Sequence, residues 1–252
     1  MKTQSESQTK AQVFLVDDHP IVRHGIGLLI NGQSDMMVCG EASCVSEALQ
    51  GITNVKTDVV VTDLSLKNSS GLDLIKDLQI RFPKLPVLVL SMHSESFYAE
   101  RVLRAGARGY VTKEDNGQNV VDGIRRLLQG EVYLSEKVAS RILCKLVGGK
   151  PISNKPSIEC LTDRELQVFE MIGAGLGTRE IAEELHLSVK TIESHREHIK
   201  DKLRIDNATS LLKQAIQWAQ WERTDQSPPA EATDGIYDLT QQSPQKPPPR
   251  AR

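Results

Sequence analysis

The chain has 252 residues, of which 39% are apolar, and a formal net charge of -2 at pH 7. A chain of this length can bury a hydrophobic core, and it fits one large domain or two smaller ones. The nearly balanced charge excludes a global attraction to nucleic acid or to an anionic membrane, so any such partner must meet a local patch. The four cysteines form no Cys-x-x-Cys pair, which favours reduced thiols in a reducing cytosol.

From the first residues of the sequence we expect no targeting signal. Residues 1–12 are polar and lack the apolar core of a signal peptide. Nowhere in the chain do about 18 apolar residues follow one another, as a membrane-spanning helix requires. We therefore expect a soluble cytoplasmic protein that has no membrane partner, with a disordered N-terminus over residues 1–11.

From residue 13 to residue 130, short apolar runs alternate about five times with segments of helical periodicity. This alternation predicts an α/β fold with a doubly wound, five-stranded parallel sheet. The predicted strands are Val13–Val16, Met37–Gly40, Val59–Thr62, Val87–Leu90 and Tyr110–Thr112. The predicted helices are Ile21–Ile30, Val45–Ile52, Leu72–Phe82, Ser96–Ala105 and Asn119–Gln129.

A break in periodicity separates this region from the rest of the chain. Apolar residues at helical spacing predict a helix over Ser135–Val147, and a stretch rich in Gly, Pro, Ser and Asn follows it. We predict that residues 12–130 form the first domain and that residues 131–156 provide a helix and a linker. Residues 223–252 are rich in Pro, Gln and Ser, which predicts a disordered tail.

Residues 157–222 carry the signals of a small all-α domain of four helices. Thr162 and Glu165 have the spacing of a capping box, and Leu161 and Leu166 suit a hydrophobic staple, so a helix is expected to begin there. The other helices are predicted at Arg179–Leu185, at Val189–Arg204 after the N-cap Ser188, and after the N-cap Asn207.

Polar side chains follow four of the predicted strands. They are Asp17 and Asp18 after the first strand, Asp63 after the third, Ser91 after the fourth and Lys113 after the fifth. The carboxyl ends of parallel strands share one edge of an open sheet, so these side chains are expected to converge on one pocket. Three carboxylates, a hydroxyl and an ammonium suit a metal ion together with a phosphoryl group.

This set of groups predicts phosphoryl transfer to a carboxylate. Asp63 is placed for the nucleophile, since a carboxylate can be phosphorylated when a divalent cation neutralises charge on the transferring oxygens. Magnesium accepts Asp18 as a direct ligand and Asp17 as a ligand or as a residue that orients one. The backbone carbonyl of Ser65 could complete the Mg²⁺ site.

The phosphoryl oxygens would be met by the Lys113 ammonium and the Ser91 hydroxyl. Taken singly, each of these residues has an ordinary structural explanation, because an Asp at a strand end is usually a turn former or a helix cap. Adjacent Asp17 and Asp18 resist that explanation, since two like charges in one loop cost free energy unless a cation or water separates them. The joint pattern favours a functional pocket.

Several motifs occur in one order along this region: Asp17-Asp18, Val59–Asp63, Gly71, Leu90-Ser91 and Gly109–Lys113. With these motifs, residues 12–130 resemble the flavodoxin-like receiver domain of two-component response regulators. The resemblance implies that a sensor histidine kinase phosphorylates Asp63 and that Ser91 and Tyr110 form a switch pair. We expect the Tyr110 ring to turn inward on phosphorylation and to alter the surface between the fourth helix and the fifth strand, a candidate dimerisation face.

The helix predicted at Val189–Arg204 has an apolar and a polar face. Ile192, Ile199 and Leu203 form an apolar stripe, and short polar and basic side chains occupy the other face of the first two turns, as in a helix that enters a major groove. Residues 157–221 contain 8 Lys/Arg against 11 Asp/Glu, but 5 of those 8 lie between positions 190 and 204. We expect modest affinity for DNA per domain, strong salt dependence and a need for dimers.

Four sequence blocks strengthen this interpretation: Leu161–Glu165, Gly175, Thr178–Leu185 and Ser188–His195. Through them residues 157–221 resemble the LuxR-type helix-turn-helix of the NarL/FixJ class. The DNA-binding residues that the resemblance implies are Thr178, Arg179, Ser188 and His195, with base contacts at Glu193, Ser194 and Glu197 and phosphate contacts at Lys190, Thr191, Arg196 and Lys200.

The sequence therefore predicts a transcription regulator that binds double-stranded DNA as a homodimer when Asp63 is phosphorylated, and not an enzyme. Two alternatives stay open. A phosphatase of the haloacid dehalogenase type would need an Asp-x-Asp-x-Thr loop, which residues 17–20 do not supply, and the acidic balance of residues 157–221 suits a domain that binds protein. A metal site at His195 and His198 lacks an obvious third ligand.

Overall fold

The computed structural model describes residues 10–66, 69–147 and 158–224. The first domain is built on a sheet of five parallel strands in the order β2-β1-β3-β4-β5. The strands are β1 (Ala11–Val16), β2 (Met36–Ala42), β3 (Val59–Thr62), β4 (Val87–Ser91) and β5 (Gly109–Thr112). Parallel neighbours cannot be joined by tight hairpins, so a helix follows each strand.

Five helices cover the two faces of the sheet. They are α1 (Pro20–Asn31), α2 (Val45–Asn54), α3 (Gly71–Arg81), α4 (Glu95–Ala105) and α5 (Gly117–Leu128). α1 packs beside α5, and α3 packs between α2 and α4. The predicted doubly wound α/β fold is confirmed.

The central strand β3 shows why the strands read as continuous apolar runs. Val60 joins a buried cluster with Leu74 of α3 and Val102 of α4. Its neighbour Val61 points to the other face and joins a cluster with Ile124 of α5. Alternate residues therefore enter two different cores, so both must be apolar.

Local signals fix several helix ends in this domain. The Ser70 side chain accepts a hydrogen bond from the backbone of Leu72 and caps α3, and the Asn116 side chain caps α5 in the same way. α4 ends at Gly106, whose φ of 115° lies in the left-handed region that glycine adopts at low cost. β2 runs from residue 36 to residue 42, longer than predicted, because it pairs with the whole of β1.

The second domain contains four helices, as predicted. After α6 (Glu136–Leu146) come a short 3₁₀ turn (Ile158–Cys160), α7 (Asp163–Gly173), α8 (Thr178–Glu184), α9 (Val189–Leu203) and α10 (Ala208–Thr224). The capping box of Thr162 and Glu165 is present at the start of α7. The Asn207 carboxamide caps α10, accepting a hydrogen bond from the Ser210 backbone at 2.8 Å.

The helices of the second domain enclose one apolar core. Phe169 of α7, Ile181 of α8, Ile199 of α9 and Ala215 of α10 are all fully buried in it. α7 and α10 approach each other closely at Gly173, where an added Cβ would lie 2.5 Å from the Ala215 carbonyl oxygen. A side chain at position 173 would therefore push the two helices apart.

The two domains contact each other through α3 and α4 of the first. The Asp163 carboxylate pairs with Lys76 at 2.7 Å and with Arg101 at 3.2 Å. Phe97 of α4 meets Trp218 of α10 with ring centroids 4.2 Å apart. Beside these contacts lies a cleft of about 1040 Å³ that both domains line.

Within the described residues, no helix combines the length and apolar character needed to cross a bilayer. Of the residues 1–11 and 223–252 that we expected to be disordered, 1–9 and 225–252 lie outside the described residues, as does most of the predicted linker. The expectation was wrong at Ala11, which pairs within β1, and at residues 223 and 224, which belong to α10.

Candidate functional site

Three of the predicted residues meet at the carboxyl edge of the sheet. Lys113, just after β5, places its Nζ 2.6 Å from Asp63 Oδ2 after β3 and 2.7 Å from Asp17 Oδ2 after β1. All three side chains are buried. β1, β3 and β5 are brought together here because parallel strands end at one edge.

Burial and charge oppose each other in this cluster. Burial raises the pKa of the Asp63 carboxyl above its usual value, and the neighbouring Asp17 charge adds to this, while Lys113 acts in the opposite direction. Burial alone would lower the pKa of Lys113, but its hydrogen bonds to Asp17 and Asp63 outweigh burial and raise it. The ammonium is thus held charged between two carboxylates.

Asp18 and His19 complete a group with the spacing of a metal site. Ligand atoms of Asp17, Asp18, His19 and Asp63 all lie within 4.8 Å of one another. Asp18 Oδ1 is buried and accepts no hydrogen bond, although His19 Nδ1 lies 2.8 Å away. Three carboxylates and one ammonium leave a net charge of about -2, which a divalent cation would balance. These residues fit Mg²⁺, and His19 is a member of the cluster that the sequence analysis missed.

The two serines of the predicted site come from the loop after β3 and from the end of β4, the strand beside β3. The Ser65 backbone N–H donates to Asp63 Oδ1 at 3.3 Å, so this loop orients the carboxylate. Ser91 is fully buried, and its Oγ accepts a hydrogen bond from the His93 backbone at 3.3 Å. The structure therefore places Ser65 in contact with Asp63, and Ser91 at the end of the strand beside β3.

Tyr110 differs from the expectation of an outward ring. The side chain is 2% exposed, and its hydroxyl donates to the His93 carbonyl at 2.8 Å. The ring is already inward because the β4–α4 loop offers it a backbone acceptor. His93 was also missed from the sequence; its position two residues after Ser91, matching that of Ser65 after Asp63, is the signal that could have identified it.

The predicted DNA-binding residues lie on α8, on α9 and in the turn between them, which together form the helix-turn-helix. Ile192, Ile199 and Leu203 are buried, which leaves the opposite face of α9 available. Of the predicted residues, those exposed are Arg179, Ser188, Lys190, Glu193, Ser194 and Glu197, and those half-buried are Thr178, Thr191, His195, Arg196 and Lys200. The structure thus gathers most of the predicted contact residues on one helix.

Two details modify the expected charge of this face. Lys200 Nζ lies 2.9 Å from Glu197 Oε2, so part of its charge is neutralised within the helix. The Ser188 hydroxyl accepts from the Thr191 backbone at 3.0 Å and serves as the N-cap of α9. In the part of the chain that the structure describes, His195 and His198 do not belong to any cluster with metal-ligand spacing.

Each of the two folded regions matches a known protein family. Residues 13–125 match the response regulator receiver domain, and residues 159–215 match the luxR family of bacterial regulatory proteins. The oxygen regulatory protein NreC of Staphylococcus haemolyticus is 33% identical over 209 residues, which cover 81% of this chain and 96% of that protein. This chain belongs to the response-regulator family.

Solved structures of response regulators have the same architecture. RcsB of Salmonella typhimurium is 27% identical, with a TM-score of 0.63 over 82% of this chain and 98% of that one. RcsB of Salmonella enterica serovar Typhimurium, bound to promoter DNA in the presence of the phosphomimetic BeF₃⁻, is 28% identical, with a TM-score of 0.61 over 82% and 99% of the two chains. This response regulator thus combines a receiver domain with a LuxR-type DNA-binding domain. Its family consists of DNA-binding transcription regulators and not of classical enzymes.

Proposed function

We propose that this response regulator is a transcription factor controlled by phosphorylation of Asp63. A sensor histidine kinase supplies the phosphoryl group, Mg²⁺ assists the transfer, and the phosphorylated chain binds its operator as a homodimer in the cytoplasm. The observation that carries the proposal is the contact of Lys113 with both Asp63 and Asp17, next to a buried Asp18 oxygen that accepts no hydrogen bond. We further propose the domain limits 12–130 and 157–222, joined by residues 131–156.

The proposed reaction uses the Asp63 carboxylate as the nucleophile. A carboxylate oxygen bonds to phosphorus while the bond from phosphorus to the donor nitrogen breaks, and its electron pair leaves with the imidazole. Asp17, Asp18, Asp63 and the Ser65 carbonyl would hold Mg²⁺, which neutralises charge on the phosphoryl oxygens when bound. Burial of Asp63 keeps bulk water away from the product.

After transfer, Lys113 and Ser91 are the side chains that we propose to meet the new phosphoryl oxygens. An acyl phosphate adds up to about two negative charges, which attract the ammonium and the hydroxyl. Because the Ser91 hydroxyl accepts from the His93 backbone, and Tyr110 donates to the His93 carbonyl, movement of Ser91 disturbs the loop that leads into α4. This loop is the proposed route from Asp63 to the rest of the molecule.

The proposed consequence of this movement is release of the second domain. α4 supplies Arg101 and Phe97 to the contact with Asp163 and Trp218. While this contact persists, the second domain holds α4 on the side that faces α3. Release lets α4 move, so that the face between α4 and β5 can form the proposed dimer and two DNA-binding domains can align on two half-sites.

The phosphorylation step is tested by incubating the purified chain with acetyl phosphate and Mg²⁺ and measuring intact mass. We expect the parent to gain the mass of one phosphoryl group and Asp63→Asn to gain none. Asp58→Asn is the matched control, because Asp58 lies before β3 at the opposite edge of the sheet and should label like the parent. Equal labelling of the parent and Asp63→Asn would show that Asp63 is not the phosphorylated residue and would refute the proposal.

DNA binding is tested by salt elution of the phosphorylated chain from a duplex column. We expect retention at low salt, and earlier elution of Lys190→Ala with Lys200→Ala, because each lost phosphate contact lowers the salt slope by about 1. Lys213→Ala removes one positive charge from α10, outside α9. It is the control for the loss of a single lysine charge. Absence of retention at low salt would support the alternative of a protein-binding domain.

A further inference from the structure

The Arg23 side chain of α1 joins the acidic loop after β1 to the end of β2. Its Nη1 donates to the main-chain carbonyl of Asp17 at 2.6 Å, and its Nε donates to Glu41 Oε2 at 2.9 Å. Asp17 follows β1, and Glu41 lies in the last two residues of β2. One guanidinium therefore spans two neighbouring strands at the carboxyl edge of the sheet, where Asp63 also lies.

Arg23 is held in place by the start of its own helix. Its backbone N–H donates to the His19 carbonyl at 3.0 Å, in the first turn of α1. The side chain is 20% exposed, and it lines a small cavity of about 10 Å³ that Asp17 and Asp63 also line. Arg23 is thus part of the wall around the acidic cluster.

Every oxygen of Asp17 accepts a hydrogen bond or an ion pair. Oδ1 accepts from the His19 backbone at 2.8 Å, Oδ2 pairs with Lys113 at 2.7 Å, and the carbonyl accepts from Arg23. Asp17 is 6% exposed, so loss of the Arg23 donor leaves its carbonyl away from water. The peptide that turns to satisfy this carbonyl leads directly to Asp18, whose buried Oδ1 accepts no hydrogen bond.

Arg23 has two opposing effects on a cation bound at this loop. Its positive charge repels Mg²⁺, whereas its hydrogen bond holds the backbone that carries Asp17 and Asp18. The Glu41 carboxylate lies 2.9 Å from Arg23 Nε and neutralises much of the charge. The hydrogen bond is therefore expected to outweigh the repulsion.

We propose that Arg23 is a positioning residue for the Mg²⁺ site and that it acts through the Asp17 carbonyl. This inference rests on the proposed Mg²⁺ site of Asp17, Asp18 and Asp63. Magnesium demands a nearly ideal octahedral shell, so a small rotation of the backbone at Asp17 and Asp18 lowers its affinity. The side chain touches neither the phosphoryl group nor the cation, and its role is confined to the geometry of the residues that do.

The test measures Mg²⁺ binding and phosphorylation separately in the full-length chain. Calorimetric titration with Mg²⁺ gives the Kd. Incorporation of phosphoryl mass from acetyl phosphate at a series of Mg²⁺ concentrations gives the half-saturating concentration and the limiting rate. We expect Arg23→Ala to raise the Kd and the half-saturating concentration about tenfold, as substitutions beside metal ligands do. The limiting rate at saturating Mg²⁺ should match that of the parent, because Lys113 still meets Asp63.

Two further variants separate geometry from charge. Arg23→Lys keeps the positive charge but loses the planar fork that reaches both partners, so its Kd should lie between those of the parent and Arg23→Ala. This variant also decides the question if Arg23→Ala does not fold. Arg104→Ala is the matched control, because it removes an arginine of α4 that is 78% exposed and pairs with Glu100. Its Kd should equal that of the parent.

A purely electrostatic role of Arg23 predicts the opposite result. Arg23→Ala would then bind Mg²⁺ more tightly than the parent, and Arg23→Lys would bind it equally well. Either finding would overturn the inference, as would a limiting rate that falls while the Kd stays unchanged. A parent chain that binds no Mg²⁺ would instead refute the proposed Mg²⁺ site itself.

Discussion

The rings of Phe97 and Trp218 meet edge to face, with an interplanar angle of 71° and centroids 4.2 Å apart. This pair joins α4, which begins just after the loop that carries His93, to the last helix of the DNA-binding domain. Trp218 is 2% exposed, yet its indole N–H has no hydrogen-bond partner among the described residues. An unsatisfied buried donor costs about 1–3 kcal/mol, so the contact is weakened by its own polar group and is suited to release.

We predict that Phe97→Ala exposes Trp218 to water. The measurement is the tryptophan emission maximum in a Trp221→Phe background, where Trp218 is the single indole. Removal of the Phe97 ring should shift the emission to longer wavelength, because water replaces an apolar contact. Ile80→Ala removes an apolar side chain that is 80% exposed on α3 and should leave the emission unchanged. Phosphorylation of the parent should produce the same shift as Phe97→Ala; a blue shift or no shift would contradict release of the second domain.

We predict that Asp163→Asn loosens the same contact and does so mainly at low salt. Burial alone would raise the pKa of Asp163, but Lys76 and Arg101 outweigh it and hold the pKa below its usual value. The carboxylate is therefore charged at neutral pH, and its contribution is lost only as the pH falls through that depressed pKa, below 3.8. Its side chain is 37% exposed, so salt screens the pair.

Small-angle scattering measures the outcome for Asp163. We expect a larger radius of gyration for Asp163→Asn than for the parent at low ionic strength, and a smaller difference at high ionic strength. The parent should keep the same radius of gyration between about pH 6 and pH 8, because the Asp163 carboxylate remains charged across this range. Asp77→Asn, which removes a carboxylate from α3, is the control. A parent that opens between these pH values would show that another titrating group holds the domains together.

We predict that Gly71→Ala abolishes phosphorylation although all the acidic residues of the site are still present. A Cβ at this position would overlap the Asp63 carbonyl oxygen and lie 2.7 Å from Leu64 Cα. Both neighbours are backbone atoms of the segment that carries the nucleophile, so Asp63 itself must move. Overpacking of this kind costs about 1–3 kcal/mol of stability.

Gly25→Ala is the matched control for this substitution. Gly25 lies in α1 and a Cβ there would meet no atom within 4 Å. Alanine is the better helix former by about 0.5–1 kcal/mol, so Gly25→Ala should raise the free energy of unfolding and leave phosphoryl incorporation as in the parent. Normal incorporation by Gly71→Ala would show that the Asp63 segment tolerates displacement.

We predict that Glu165→Ala destabilises the DNA-binding domain by about 1–2 kcal/mol, because it removes the capping box of α7 and an ion pair whose lysine is half-exposed. Glu165 is 4% exposed, accepts from the Thr162 backbone at 2.7 Å and pairs with Lys202 at 2.6 Å. Chemical denaturation of the full chain in the Trp221→Phe background, followed by the emission of Trp218, measures the loss. Glu183→Ala removes an exposed glutamate from α8 and should change the free energy of unfolding far less.

The pH dependence of this loss has a definite sign. Burial alone would raise the pKa of Glu165, but Lys202 and the Thr162 N–H outweigh it and lower the pKa. The stabilisation is therefore present above 4.5 and is lost as the pH falls through the depressed value. The difference between Glu165→Gln and the parent should shrink on acidification; a difference that grew would mean that the glutamate is protonated in the native state.

The elements of the fold could be predicted because their signals are local. The capping box of Thr162 and Glu165 and the N-cap Asn207 are read from three or four consecutive positions, and all are present. β2 was predicted too short, because its ends are set by pairing with β1 rather than by its own apolar residues. Pairing with a partner strand is information that a single segment does not contain.

The sequence by itself determined the α/β class, the order of the motifs and the gathering of polar residues at one sheet edge, because strand alternation and parallel topology follow from apolar periodicity. Only the tertiary structure decided that Tyr110 already points inward, that His93 bonds to Ser65, and that Asp163 joins Lys76 and Arg101. These contacts depend on the paths of separate loops and on the placement of the two domains. Their partners are up to 87 residues apart, and no local spacing encodes such a meeting.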